Sequence, residues 1–281
     1  MMKKTLTAVA LACGLMGVAQ AQGSKVELLP IPSTLPPALQ IAAQGGMNIE
    51  KSFKADGGMT GWLMYAADGQ YAIAYTPPSG DVVVAGRMLS AKGEDLTKRY
   101  LDELVNYDRF LPRIEKSKTV DTGATGKDVK ATIWAFMDTN CIYCHYASKA
   151  LKAYEAAGLQ VRWIPVAILG PDSAGQAAAI MTAKNPTAAL EEHENTWNPR
   201  AGQKGITPMP NSSIPEAIRK ELNANVTLMG DLGGKGTPLI VFKDARGHLQ
   251  RVSGMPNLKD LPRITGLPEQ EITDKELQRF R

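Results

Sequence analysis

Residues 132–146 read TIWAFMDTNCIYCHY, and this stretch decides the fold of the 281-residue chain. Its first half is an apolar run rich in residues that favour β-strands. The stretch that follows, Ala147–Ala157, is rich in Ala, Leu, Lys and Glu and favours a helix. A C-x-x-C motif, Cys141 to Cys144, lies between the two. The pattern predicts a strand that leads into a helix with two cysteines at its start.

The helix start is expected to make Cys141 reactive. Unpaired N–H groups and the helix macrodipole favour negative charge there, and they can lower a cysteine pKa from about 8.5 to roughly 3.5–7.5. Cys144 lies three residues on, on the same helix face, where the two sulfurs can form a disulfide. Our interpretation is that Cys141 attacks disulfides and that Cys144, which is more buried, resolves the mixed disulfide.

Other roles for this motif compete with redox catalysis. A structural disulfide is one alternative, but a bond between such close cysteines restrains little chain entropy. A zinc site is another, but it needs about four ligands and the chain has no second cysteine pair. The sharper alternative is c-type haem attachment, because Cys141 to His145 also matches C-x-x-C-H. The motif alone does not separate haem from redox chemistry. Candidate axial ligands are Met181, Met209, Met229, Met255 and His193.

Residues 1–21 are typical of a secretory signal peptide. Lys3 and Lys4 precede the apolar run Leu6–Ala19, and the A-x-A sequence that ends at Ala21 is a cleavage site. The apolar run is too short to span a bilayer. The pattern is bacterial in style, so we expect export to the periplasm by a cleavable signal.

Composition narrows the class of protein. The chain has a net charge of +4, and removal of Lys3 and Lys4 lowers it to +2, so we expect no nucleic-acid partner. Of three cysteines, only Cys141 and Cys144 lie outside the signal peptide, which does not suit a disulfide-stapled scaffold. We expect no metal and no cofactor. A mature chain of this length suits two domains.

The first predicted domain covers residues 22–91. Asp68-Gly69 is a strong hairpin signal between two of its strands. Such a small antiparallel α+β unit is marginal alone, so the pattern fits a dimerisation domain and a plain folding subdomain equally well. Its predicted elements are a helix at Leu39–Gln44 and strands at Met47–Phe53, Gly61–Ala66, Gln70–Tyr75 and Asp81–Leu89.

A charged helical segment is predicted to join this unit to the rest of the chain. Apolar residues recur at helical spacing within residues 92–118, which indicates a linker helix that Pro112 ends or bends. The glycine- and threonine-rich residues 121–126 are predicted to be a loop at the domain boundary.

The second predicted domain covers residues 119–281. It contains a helical stretch at about 170–226, and the elements that remain without that stretch read β-α-β and then β-β-α. That order is the thioredoxin fold with a helical insertion, and the fold class of the whole chain is therefore α+β. Those elements are Ala131–Phe136, Cys141–Ala157, Gln160–Val166, Leu239–Lys243, Leu249–Val252 and Leu258–Ile264.

Thr237-Pro238 precedes an apolar strand and favours the redox hypothesis. A thioredoxin-fold redox site places a cis-proline beside its C-x-x-C, and proline is the residue for which a cis bond costs only about 0.5–1 kcal/mol. Thr237 would then offer backbone groups to an extended substrate. We therefore expect Thr237 and Pro238 to line the substrate site.

The chain resembles the DsbC/DsbG family of periplasmic thiol:disulfide interchange proteins over nearly its whole mature length. The resemblance implies a V-shaped homodimer in which residues near 25–90 form the dimerisation domains and two thioredoxin domains face a cleft. It also implies a DsbD-like membrane reductant that keeps the cysteines reduced. The matching segments are Ala55–Leu63, Phe136-x-Asp138-x-x-Cys141-x-Tyr143-Cys144, Leu228-Met229-x-Asp231-Leu232-Gly233, Thr237-Pro238 and Gly254-Met255-Pro256.

Two features depart from the family pattern. Ile142 stands where proline is common, and His145 follows the second cysteine. The dipeptide Ile142-Tyr143 is expected to tune the redox potential, whereas His145 is interpreted as a helix-surface residue. The expected function is to reduce or isomerise disulfides, or to reduce sulfenic acids, on oxidised exported client proteins. A c-type haem electron carrier and a holdase chaperone are the alternatives.

Overall fold

The structure is a computed structural model that describes residues 26–66, 71–198 and 201–281. The predicted signal peptide and the Asp68-Gly69 turn lie outside the described residues. Within the described ranges, no helix has both the length and the apolar character that a membrane span requires.

The N-terminal part is a five-stranded antiparallel sheet in the order β1-β2-β3-β4-β5, covered by one helix, α1. Leu39 on α1 packs on Trp62, Met64 and Ala74 of the sheet. The predicted hairpin strands pair in continuous register between β3 and β4. The elements are β1 (Leu28–Leu29), α1 (Pro37–Gln44), β2 (Met47–Lys54), β3 (Thr60–Ala66), β4 (Tyr71–Thr76) and β5 (Val84–Ala85).

The strand predicted over residues 81–89 is wrong in length, since β5 contains only Val84 and Ala85. Gly86 follows with φ of 148°, and the chain then turns away from the sheet. Met88 donates its N–H to Thr97 Oγ1 and accepts from Leu96 N. The backbone groups that would have continued the strand are therefore used by the helix that follows.

The single linker helix predicted over residues 92–118 is also wrong. The segment contains α2 (Leu96–Leu104), a 3-10 turn (Tyr107–Phe110) and α3 (Leu111–Lys116). Asn106 breaks the helix, because its side chain accepts from Asp108 N and starts a new turn. Pro112 lies in the first turn of α3, where a missing N–H costs nothing, so it begins a helix rather than ending one.

The linker packs against both parts of the chain. One buried cluster contains Phe53 of the N-terminal sheet, Tyr100 of α2 and Trp134 of the C-terminal sheet. The Asp108 carboxylate also accepts from Leu249 N at 2.6 Å. The described N-terminal sheet, linker and C-terminal sheet therefore share an apolar core.

The C-terminal sheet has the order β12-β11-β7-β8-β6, in which β7 and β8 are parallel and the other pairs are antiparallel. Helix α4 connects β7 to β8, and α8 follows β12. This arrangement is the predicted thioredoxin fold. The elements are β6 (Val120–Gly123), β7 (Ala131–Met137), α4 (Ile142–Glu155), β8 (Leu159–Pro165), β11 (Leu239–Lys243), β12 (Leu249–Ser253) and α8 (Leu261–Thr265).

Strand β6 was not predicted, because its residues were interpreted as part of a boundary loop. Val120 and Thr122 point inward and are buried, and Thr122 Oγ1 accepts from Trp163 Nε1 at 3.1 Å. A four-residue edge strand that contains Asp and Gly has too little apolar alternation to be recognised from sequence.

A helical insertion separates β8 from β11, as predicted. A short hairpin inside it was not predicted, and its last helix runs on to Asp231. The C-terminal tail packs back on α4, with Leu277 fully buried and the Arg279 guanidinium 4.4 Å from the ring centre of Tyr146. The insertion comprises α5 (Ser173–Thr182), α6 (Pro186–Thr196), β9 (Trp197–Asn198), β10 (Gln203–Lys204) and α7 (Glu216–Asp231).

Candidate active site

Cys141 is the N-cap residue of α4. A turn after β7 brings it there, with Cys141 N donating to Asp138 O at 3.0 Å. Its backbone is extended, with φ of −93° and ψ of 110°, and its Sγ accepts from Cys144 N at 3.3 Å. An N-cap side chain satisfies one of the N–H groups that a helix start leaves unpaired. The first cysteine sulfur therefore lies where the helix favours negative charge.

Cys144 lies one turn further along α4 and faces the core. It is 1% exposed, against 5% for Cys141, and both are free cysteines. The predicted difference in exposure is present but small, so electrostatic environment distinguishes the two sulfurs more than access to solvent does.

Sheet pairing brings Thr237 and Pro238 to the start of α4, beside the cysteines. Strand β11 pairs with β7 so that Leu239 lies opposite Phe136, which sets the preceding dipeptide beside the start of α4. The Thr237–Pro238 peptide bond is cis, and the Cys141 thiol donates to Thr237 O at 3.2 Å. Residues that are 96 positions apart in sequence thus form one site with the C-x-x-C.

The two thiols have opposite pKa shifts. The hydrogen bond with the Cys144 side chain lowers the pKa of Cys141, as do the side chain of Thr237 and the backbone N–H groups of Tyr143 and Cys144. Together they outweigh burial and bring the pKa of Cys141 to about 6. Burial, and the proximity of Cys141, raise the pKa of Cys144 well above its ordinary value. At neutral pH this arrangement pairs a thiolate with a protonated thiol.

Comparisons with known proteins agree with this geometry. A family model described as a thioredoxin-like domain matches residues 117–265. The thiol:disulfide interchange protein DsbG of Pseudomonas aeruginosa is 33% identical over 238 residues, which cover 83% of this chain and 89% of that protein. DsbG of Escherichia coli is 30% identical over 236 residues, which cover 83% of this chain and 92% of that protein. The chain belongs to the DsbC/DsbG family.

A solved structure of a periplasmic thioredoxin-like protein from Salmonella enterica serovar Typhimurium is also similar. It covers 56% of this chain and 94% of its own, with a TM-score of 0.45 and 20% identity.

The dipeptide between the cysteines lies partly at the surface of this family member. Tyr143 is 52% exposed, and its ring centre lies 6.4 Å from that of Tyr146. Ile142 is half-buried and packs against the core. An exposed aromatic ring beside Cys141 can contact a bound polypeptide.

Asp138 is a site residue whose role sequence reasoning missed, although it belongs to the motif that carried the resemblance. Its side chain is fully buried, and Oδ1 accepts from Asn140 N at 2.9 Å and from Ser173 Oγ at 2.7 Å. Oδ2 accepts from Ile168 N at 2.7 Å and from Leu169 N at 3.0 Å. One carboxylate thus holds the turn before Cys141, the start of α5 and the loop after β8.

The loop held by Asp138 carries exposed apolar side chains. Ile168 is 39% exposed and Leu169 is 53% exposed. Both lie on a loop that shares its anchor with the active-site turn. This exposed apolar pair was not predicted, because neither residue belongs to a periodic pattern.

His145 was interpreted as a helix-surface residue, and that interpretation is wrong. Its side chain is only 14% exposed, and Nδ1 lies 2.8 Å from Glu194 Oε2 on α6. Its ring centre lies 5.5 Å from that of Trp197. The insertion covers this side of α4, and a helical pattern in α4 alone cannot predict that cover.

The residues do not suit c-type haem attachment. Thioether bonds to a porphyrin need both sulfurs outside the core, whereas Cys141 and Cys144 are both buried in it. The imidazole of His145 is held by Glu194, and both ring nitrogens of His193 have hydrogen-bond partners. The haem alternative would require the core around α4 to open.

Proposed function

We propose that this protein is a periplasmic thiol:disulfide oxidoreductase that acts on oxidised cysteines of exported proteins. The observation that carries the proposal is the position of Cys141 at the start of α4, where its Sγ accepts from Cys144 N and lies beside Thr237, with Cys144 buried one turn further on. Membership of the DsbC/DsbG family and the signal-like residues 1–21 support periplasmic disulfide chemistry.

The reaction follows from the two pKa shifts. The Cys141 thiolate attacks one sulfur of a client disulfide, and the other client sulfur leaves as a thiolate and takes a proton. Cys144 then loses its proton and attacks Cys141 Sγ, which releases the second client thiol. The client disulfide gains two electrons and two protons, and Cys141 and Cys144 end as a disulfide.

Two variants of the reaction use the same nucleophile. If a client thiolate attacks the mixed disulfide before Cys144 does, the client disulfides rearrange and Cys141 returns to the reduced state. If the client carries a sulfenic acid, the Cys141 thiolate attacks its sulfur and hydroxide leaves, which takes a proton to become water. A DsbD-like membrane reductant would return the oxidised cysteine pair to the dithiol state.

The other site residues hold the client. When Cys141 is ionised it no longer donates to Thr237 O, so that carbonyl can accept an N–H group of an extended client. Pro238 shapes the groove beside it, and the Ile142-Tyr143 dipeptide tunes the redox potential. Exposed Tyr143, Ile168 and Leu169 would contact apolar client residues next to the reacting cysteine.

The protein would work as a homodimer with the predicted domain division: dimerisation domain 22–91, linker 92–118 and catalytic domain 119–281. Among the described residues, most of the large apolar side chains that are exposed lie in the N-terminal sheet, in α1 and in the flanking loops, which supports an interface there. Holdase activity in the dimer cleft stays a prediction. These exposed side chains are Leu28, Ile31, Ile41, Val82, Val84 and Leu89.

Single-cysteine variants test the proposal. Cys144→Ser should accumulate mixed disulfides with clients through Cys141, because attack proceeds and resolution fails. Cys141→Ser should accumulate none, because the remaining thiol is buried and protonated at neutral pH. Non-reducing gels followed by mass spectrometry of the adducts measure both. Adducts through Cys144 in the Cys141→Ser protein would show that nucleophile and resolver are assigned wrongly.

A further inference from the structure

Two consecutive side chains of α6 reach the two ends of the C-x-x-C motif. His193 Nε2 lies 2.9 Å from Thr139 O, two residues before Cys141. Glu194 Oε2 lies 2.8 Å from Nδ1 of His145, the residue that follows Cys144. The helical insertion therefore contacts the active-site segment on both sides of its cysteines.

The hydrogen bonds of His193 define its tautomer. A carbonyl oxygen only accepts, so Nε2 carries the proton and donates to Thr139 O. Nδ1 accepts from Ile206 N at 3.3 Å, so both nitrogens of the neutral ring are satisfied. The ring is 1% exposed, and Gly205 lets the chain approach it, since a Cβ there would lie 2.4 Å from Nδ1.

The surroundings keep this imidazole neutral. Burial lowers the pKa of His193, and the proximity of His145 acts in the same direction. That shift is opposed, but not reversed, by Glu194, by the hydrogen bond to Thr139 O and by Asp138. A second proton would also place Nδ1–H against the N–H of Ile206, which can only donate. The donor to Thr139 O is thus a neutral, buried ring.

The Glu194–His145 pair is similarly enclosed. Each side chain is 14% exposed, and Trp197, itself buried, packs on both histidines with ring-centre distances of 5.5 Å to His145 and 6.5 Å to His193. A charge-assisted hydrogen bond in such a shielded place holds its two partners more firmly than a surface ion pair does. It joins the first turn of α4 to α6.

The position of Cys141 depends on both contacts. The thiolate of Cys141 is stabilised by the N–H of Cys144, which lies 3.3 Å from Sγ. Movement of the preceding turn or of the first turn of α4 would lengthen this distance.

We propose that His193 and Glu194 are positioning residues through which the helical insertion holds the C-x-x-C motif and sets the reactivity of Cys141. The inference rests on the proposed thiol–disulfide activity, because it assigns these side chains a purpose in that reaction. A histidine and a glutamate that only completed the core would stabilise the fold without affecting the thiolate.

The test uses the reduced full-length protein with His193→Phe and Glu194→Gln, and His193→Gln as the conservative variant. Rates of iodoacetamide reaction at Cys141 between pH 4.5 and 9 give its pKa, and equilibration with glutathione gives the reduction potential. His193→Phe keeps a planar ring, somewhat larger than imidazole, and loses both hydrogen bonds. We expect its Cys141 pKa to rise by at least about half a unit, a roughly threefold loss of thiolate at pH 5.

Glu194→Gln should shift the pKa of Cys141 in the same direction. His193→Gln should restore most of the wild-type value, because its amide N–H can still donate to Thr139 O. Two matched control variants should leave the pKa of Cys141 unchanged. Glu191→Gln removes a surface pair with Lys152 from the same helix, and His248→Gln removes a histidine–carboxylate pair with Asp108 in another region.

Three outcomes would overturn the positioning role. One is a lower melting temperature in His193→Phe with an unchanged Cys141 pKa and reduction potential. Another is a shift of the Cys141 pKa in the control variants that equals the shift in His193→Phe. If His193→Phe does not fold, an unchanged pKa in Glu194→Gln refutes the proposal by itself. A wild-type protein whose Cys141 does not react at pH 6 would instead refute the proposed function.

Discussion

The pKa of about 6 for Cys141 predicts a characteristic pH dependence of its alkylation. At pH 6 about half of Cys141 is thiolate, whereas a cysteine of ordinary pKa, about 8.5, is roughly 0.3% thiolate. The thiolate fraction therefore favours Cys141 by roughly 150-fold. A less basic thiolate is a weaker nucleophile, and a Brønsted slope of about 0.4–0.5 over roughly 2.5 units costs about 10- to 18-fold. The net expectation is a reaction about tenfold faster than that of an ordinary cysteine at pH 6.

The same reasoning predicts a reversal at higher pH. At pH 8.5 Cys141 is fully ionised and an ordinary cysteine is about half ionised, so the gain in thiolate is only about twofold. The loss of nucleophilicity then dominates, and Cys141 should react roughly five to nine times more slowly than the ordinary cysteine. The rate at Cys141 should level off above about pH 7.

Stopped reactions of the reduced protein with iodoacetamide, followed by peptide mass spectrometry, separate alkylation of Cys141 from that of Cys144. The urea-unfolded protein supplies the ordinary cysteine with the same sequence around it. A Cys141 rate that keeps rising up to pH 8.5, with no crossing of the two profiles, would refute the pKa assignment. Equal modification of Cys144 at pH 6 would refute the assignment of the nucleophile.

Three further outcomes are expected. The unfolded chain keeps the Cys141 proton up to about pH 8.5, whereas the folded protein releases it near pH 6. The urea midpoint of the reduced protein should therefore rise between about pH 6 and about pH 8.5, and this gain in stability should be lost as the pH falls through about 6. The oxidised protein has no thiol to titrate and should show no such change. Asp138→Ala leaves buried N–H groups without an acceptor and should lower the free energy of unfolding by about 3 kcal/mol or more, whereas Asp274→Asn at the surface should change it little. Val84→Lys places a charge on the exposed edge strand β5 and should increase the monomer fraction in sedimentation experiments, and an unchanged dimer would place the interface elsewhere.

Local patterns predicted the elements around the C-x-x-C, because β7 is a continuous run of apolar, strand-favouring residues and α4 is rich in helix-favouring ones. They failed where hydrogen bonds to side chains replaced the periodic backbone pattern. Asn106 interrupts the linker helix with its own side chain, and β5 ends early because Met88 bonds to the next helix. A short edge strand such as β6 has no period long enough to detect.

The sequence by itself determined the thioredoxin order of elements, the two cysteines and their placement at a helix start. These follow from residue spacing and helix propensity, which act over a few neighbouring positions. Only the tertiary structure decided what surrounds Cys141, because its partners come from distant segments: Thr237 through the pairing of β11 with β7, and His193 and Glu194 through the packing of the insertion. Burial and hydrogen bonding, which those segments supply, decide which of two similar thiols carries the charge.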